Sequence, residues 1–79
     1  GRTNPFLHNN LHLTLQDQIS LNQPKGIKQI YSNLLKKYND AHQVEHIMME
    51  HIAEMIFNSQ KYNKPMDLEY YLRSLKELN

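Results

Sequence analysis

The chain contains no cysteine, which excludes disulfide cross-links and every zinc site built on thiolates. The same absence fits a reducing compartment, and a cytoplasmic location is expected. No apolar run approaches the roughly 20 residues needed to cross a bilayer, and no basic-then-apolar start resembles a secretory signal. A membrane role is therefore not expected. Charge of one sign is also scarce. The formal net charge is +1, too weak a field to gather nucleic acid or an anionic membrane, and Lys25, Lys28, Lys36 and Lys37 read as a solvated helix face. No segment alternates with period two, so strands are not expected. No phosphate-cradling glycine loop, nucleophile beside a base or paired-carboxylate arrangement is visible, so no catalytic residue is assigned.

A chain of 79 residues makes one domain, and a domain of this size buries only about 60% of its unfolded surface. Such domains usually need a disulfide, a metal or a partner chain to stabilise them. With cysteine absent, the last two remain.

Proline and asparagine clusters divide the chain into four stretches of helical period. Asn4-Pro5 opens the first, with proline at the first helical position where its missing N–H costs nothing. It is expected to span 4–21, ending before Asn22-Gln23-Pro24. The second, 24–38, carries Ile27, Ile30, Tyr31, Leu34, Leu35 and Tyr38 in one stripe. Asp40 caps a third helix over 40–62, and Asp67 caps a fourth over 67–78 that carries Leu68, Tyr71, Leu72, Leu75 and Leu78. Short connections make an all-α, antiparallel up-down-up-down four-helix bundle the expected fold. The first and third helices then run parallel, with their N-terminal halves at one end.

Two His-x-x-x-His pairs fall in those halves. With about 100° per residue, His8 and His12 sit inside the stripe of Leu11, Leu15 and Ile19. On the third helix, His42 and His46 fall among Met49, Ala53, Ile56 and Phe57, and Glu45 lies between Ile52 and Ile56. Four imidazoles and one carboxylate are thus expected to face one end of the core. A buried neutral imidazole must satisfy one donor and one acceptor nitrogen, and a divalent metal meets that need, since imidazole is a good ligand for zinc, iron, copper and nickel. The expected ligands are His8, His12, His42 and His46, with Glu45 as a fifth ligand or a partner to a ligating ring. Zinc or iron suits so imidazole-rich a set.

Other readings stay open. A buried His–Glu–Tyr network without metal would make the chain a structural or interaction module, and two opposing histidines could hold haem, although no attachment motif is present. His42-Gln43-Val44-Glu45-His46 also spells the inverted zincin pattern, but five residues match it often by chance. His51 is expected at the border as a surface or packing residue. Met48, Met49 and Met55 serve the apolar arc as core filler.

The segments Asn4-Pro5-Phe6-Leu7-His8-Asn9-Asn10-Leu11-His12 and Asp40-Ala41-His42-Gln43-Val44-Glu45-His46 resemble a small bacterial family known only as domain of unknown function 1841. The likeness includes Gln18, Gln23-Pro24-Lys25-Gly26-Ile27, Gln60, Pro65-Met66-Asp67 and Tyr71-Leu72. Asp17 stands where relatives are expected to have Glu, and Asn39 where they usually have Gly. The resemblance implies no activity. It implies that members are longer, with a helical N-terminal region, so that this chain, which opens Gly1-Arg2-Thr3, is the C-terminal part. The wide apolar arc of the third helix would then face absent helices, and the isolated chain is expected to form a homodimer.

Overall fold

The structure is a computed structural model that describes the backbone of residues 5–78 and the side chains of residues 10–78. Four helices follow in order: α1 (Pro5–Leu21), α2 (Ile27–Tyr38), α3 (Ala41–Tyr62) and α4 (Leu68–Lys76). No strand occurs among the described residues, so the chain is an all-α bundle.

The boundaries have local causes. Asp40 accepts a hydrogen bond from the Gln43 backbone N–H at 3.2 Å, and Asp67 accepts one from the Tyr70 N–H at 3.0 Å. Each satisfies a donor that the first helical turn leaves without a backbone partner. Asn22, Asn39 and Asn63 follow α1, α2 and α3 with φ of 53°, 53° and 52°. Asparagine tolerates this left-handed conformation better than most side chains. Helix α2 starts at Ile27 rather than at the expected Pro24, because Gly26 takes φ 99°. Asn22 reaches across this turn, and its Oδ1 accepts from the N–H groups of Gly26 at 3.2 Å and Lys28 at 3.1 Å.

His12, in the first half of α1, meets His46 in the first half of α3, so these halves share one end of the bundle. Lys37, at the end of α2, donates to the Leu78 carbonyl just beyond α4, so the C-terminal ends of α2 and α4 also lie together. Both relations agree with the up-down-up-down order. The arrangement is not a square of four equal contacts. Helix α3 packs on α1, α2 and α4, and α2 likewise touches the other three, while α1 and α4 do not pack on each other among the described residues.

The core is apolar throughout. Leu11 and Leu15 enter it from α1, Ile27, Ile30 and Leu34 from α2, and Tyr71 and Leu75 from α4. Helix α3 supplies Val44, Met48, Met49, Ile52 and Met55. Ile19, Ile56 and Leu72, expected in the core, pack against it while half-buried. The broad apolar arc of α3 is thus largely used within the bundle, since three helices pack on it. Phe57 is outside that coverage, at 61% exposed.

Candidate metal centre

The buried direction of α3 differs from the expected one, and this decides how the histidines sit. Val44, Met48, Ile52 and Met55 are buried. At about 100° per residue their mean direction lies roughly 125° round the helix from His42. The expected arc included these residues but ran on past His42 to Phe57, and burial selects only one side of it. His42 and His46 consequently stand at the rim and are exposed, not enclosed. Position along the helix acts in the same sense, because both lie in the first turns of α3. Across from them His12 is half-buried, above Leu11 and Leu15. Among the described residues no histidine or carboxylate is fully buried, so the expected enclosure of His12, His42, His46 and Glu45 is corrected to a site at the surface of one end.

At that surface three imidazoles come together from two helices. The His42 and His46 rings, one turn apart on α3, have centroids 4.3 Å apart and planes tilted by 41°. The His12 ring on α1 approaches His46 edge-on, at 6.4 Å and 70°. Two imidazoles sharing an ion at about 2.0–2.1 Å per nitrogen have centroids roughly 5 Å apart in tetrahedral coordination. The first observed spacing is shorter than that by roughly 0.7 Å and the second longer by roughly 1.4 Å. Among the described residues no group of three or more His, Cys, Asp or Glu side chains is placed so that it could hold a metal ion. His8 lies on α1 one turn before His12, and its side chain falls outside the described residues.

Glu45, expected as a fifth ligand or a partner to a ligating ring, is half-buried. Its charge acts on Tyr31 of α2, whose hydroxyl pKa is raised first by burial and then by this carboxylate. Among the described residues no direct bond from Glu45 to a histidine is seen. His51 is half-buried, and its Nδ1 lies 2.9 Å from the Ile47 carbonyl oxygen. A carbonyl can only accept, so Nδ1 is the protonated nitrogen. That nitrogen is satisfied within its own helix, as expected of a packing residue.

A long-range polar contact was not foreseen from the sequence. The Tyr71 hydroxyl of α4 donates to Gln18 Oε1 of α1 at 2.7 Å, and burial pushes its pKa well above the ordinary tyrosine value. Period places Tyr71 on the apolar stripe of α4 but Gln18 on the polar side of α1, and nothing in the spacing pairs them across the bundle. Away from the histidines, a depression of about 210 Å³ at the α3–α4 corner is lined by Met55, Asn58, Ser59, Tyr62, Lys64, Pro65, Asp67 and Tyr70. It brings no set of catalytic groups together. Among the described residues no helix is long and apolar enough to cross a membrane.

The profile of the family described as "Domain of unknown function (DUF1841)" matches residues 1–77. The chain belongs to that family. No curated protein and no solved structure gives a significant match.

Proposed function

We propose that this protein is a metal-binding helical bundle, with the imidazoles of His12, His42 and His46 as ligands and zinc or iron as the ion. The observation that carries the reading is the meeting of three imidazoles from α1 and α3, at 4.3 and 6.4 Å between centroids. His8, one turn before His12, is a further donor on spacing alone. Imidazole nitrogen without thiolate suits zinc and iron, while magnesium and calcium prefer oxygen. An ion held by His12 on one helix and His42 and His46 on another would tie α1 to α3, supplying the link that a small cysteine-free domain lacks.

The reading of a metal-free module built on a buried His–Glu network has less support. His42 and His46 are exposed, which does not fit a buried network. Elemental analysis of the purified protein, followed by zinc titration of the stripped protein by calorimetry, tests the proposal. Stoichiometric uptake is expected in the wild type, together with a loss of at least tenfold in affinity for His12→Ala and for His46→Ala. Equal weak uptake by all three proteins would sink it.

A further inference from the structure

We infer that two copies of this chain dock on a two-fold axis through the corner between α3 and α4. The inference does not rest on the metal reading. It concerns the surface that the bundle leaves uncovered, since the wide arc of α3, where association was expected, is taken up by α1, α2 and α4. Residues 60–70 are exposed without a break. Within that short stretch Tyr62, Met66, Leu68 and Tyr70 put large apolar side chains into solvent. Leu13 and Leu21 on α1 are exposed as well, but single apolar residues on a surface are ordinary, whereas a cluster of them marks an interaction site.

The stretch is held in place before anything docks. The Lys64 N–H donates to the Ser59 carbonyl at 3.0 Å, the Ser59 hydroxyl donates to the Lys64 carbonyl, and Asp67 caps α4 through the Tyr70 N–H. Little ordering is therefore left to be done on binding. The depression at its centre, about 210 Å³ between Met55, Tyr62 and Tyr70, is smaller than the roughly 300–1,000 Å³ of small-molecule sites. It suits one inserted side chain. Charge then selects the partner. Lys64 and Asp67 both line this depression, and neither forms an ion pair among the described residues. Lys61 lies to the flank, its Nζ 5.9 Å and 5.4 Å from the Phe57 and Tyr62 ring centroids. A surface that sets one cation and one anion close together among apolar groups is complementary to itself. A two-fold axis brings Lys64 of each copy to Asp67 of the other, because in such an interface residue i meets j and j meets i. A uniformly acidic or uniformly basic partner would satisfy one of the two and oppose the other. Glu69 and Arg73, exposed on the neighbouring turns of α4, are again one of each sign.

Sedimentation equilibrium of the full chain over about 10–500 μM, the range in which weak interfaces show, reads the association, first with a chelator and then with zinc. A monomer–dimer equilibrium is expected in both. Lys64→Glu should weaken it at least tenfold, because on a two-fold axis the substitution brings like charges together twice. Tyr70→Ser should weaken it to a similar extent. Both side chains are exposed, and circular dichroism checks that the variants keep their helices. Adding Asp67→Asn to Lys64→Glu removes the repulsion while keeping a good N-cap, and should recover part of the loss. Phe57→Ser, about 140° round α3 from Tyr62, should leave the dimerisation constant unchanged. A monomer throughout the range would overturn the inference. So would a dimer that Lys64→Glu and Tyr70→Ser leave intact, since another face would then join the copies. Association that appears only with zinc would overturn it too, because the ion rather than the corner would make the link.

Discussion

Tyr71 of α4 and Gln18 of α1 meet through a 2.7 Å hydrogen bond, although their helices do not pack on each other among the described residues. The tyrosine ring is 1% exposed, so its body fills the core while its hydroxyl reaches across to a half-buried partner. Tyr71→Phe keeps the ring and removes this bridge. A net hydrogen bond contributes about 0.5–1.5 kcal/mol, and Gln18 can recover water, so a loss of that size or slightly less is expected. Urea unfolding of the two proteins measures it.

The same hydroxyl predicts a pH dependence. Burial raises its folded-state pKa above the ordinary tyrosine value of about 10. The folded state therefore holds its proton where the unfolded chain has released it. The stabilising contribution is complete below about pH 10 and is lost progressively as pH rises beyond it. The urea midpoint of the wild type should fall more between about pH 9 and pH 11 than that of Tyr71→Phe. Tyr31, also shifted upward, acts in the same direction in both proteins and so cancels in the comparison. Parallel declines would mean that Tyr71 does not carry the dependence.

Burial separates two apolar residues of similar appearance in the sequence. Leu34 is fully enclosed and Phe57 is mostly exposed. Leu34→Ala removes buried atoms and leaves a cavity, for an expected loss of about 2–5 kcal/mol. Phe57→Ser changes a surface position and should stay within about 0.5 kcal/mol. Thermal or urea unfolding of both variants checks the pair, and a reversal of the order would place the core elsewhere.

How much of this was legible in the sequence follows from how narrow each signal is. Helix α2 has a single stripe, and Ile27, Ile30 and Leu34 are its buried members. Asp40 and Asp67 cap as their positions before apolar runs suggest. Helix α3 was harder, because apolar residues cover much of its circumference. A wide arc identifies an interior helix but leaves its centre uncertain by tens of degrees. Packing on three neighbours turned that centre toward Val44 and Met48, leaving His42 and His46 at the rim. The Tyr71–Gln18 pair lies beyond any local rule, since its two residues are brought together only by the order of the helices.

Asp40→Ala tests the link between a helix cap and the proposed metal site. Asp40 holds the Gln43 N–H at 3.2 Å, fixing the turn that carries His42 and begins the approach to His46. Loss of such a cap costs about 0.5–2 kcal/mol. If the first turn frays in the variant, His42 and His46 lose their fixed spacing, so zinc affinity should fall although no ligand has been changed. Calorimetric titration of the stripped variant against the wild type would show it. Unchanged affinity with lowered stability would mean that the ligands hold the turn without help from the cap.

Metal removal supplies the most direct prediction. A ligand that binds only the folded state stabilises it by about 2.7 kcal/mol when present at 100 times its dissociation constant. For a domain of this size each kcal/mol moves the melting temperature by about 4–8 °C, so zinc should raise it by roughly 10–20 °C and a chelator should reverse the rise. Protons compete with the ion for imidazole nitrogen. The zinc-dependent increment should therefore shrink as pH falls, whereas the melting temperature of the stripped protein should change less over the same interval. The double variant His12→Ala/His46→Ala removes one donor from each helix and should melt at the same temperature with and without zinc. Differential scanning calorimetry at two pH values, with zinc or chelator present, resolves all of these. A zinc increment that survives in the double variant would assign the ion to other ligands.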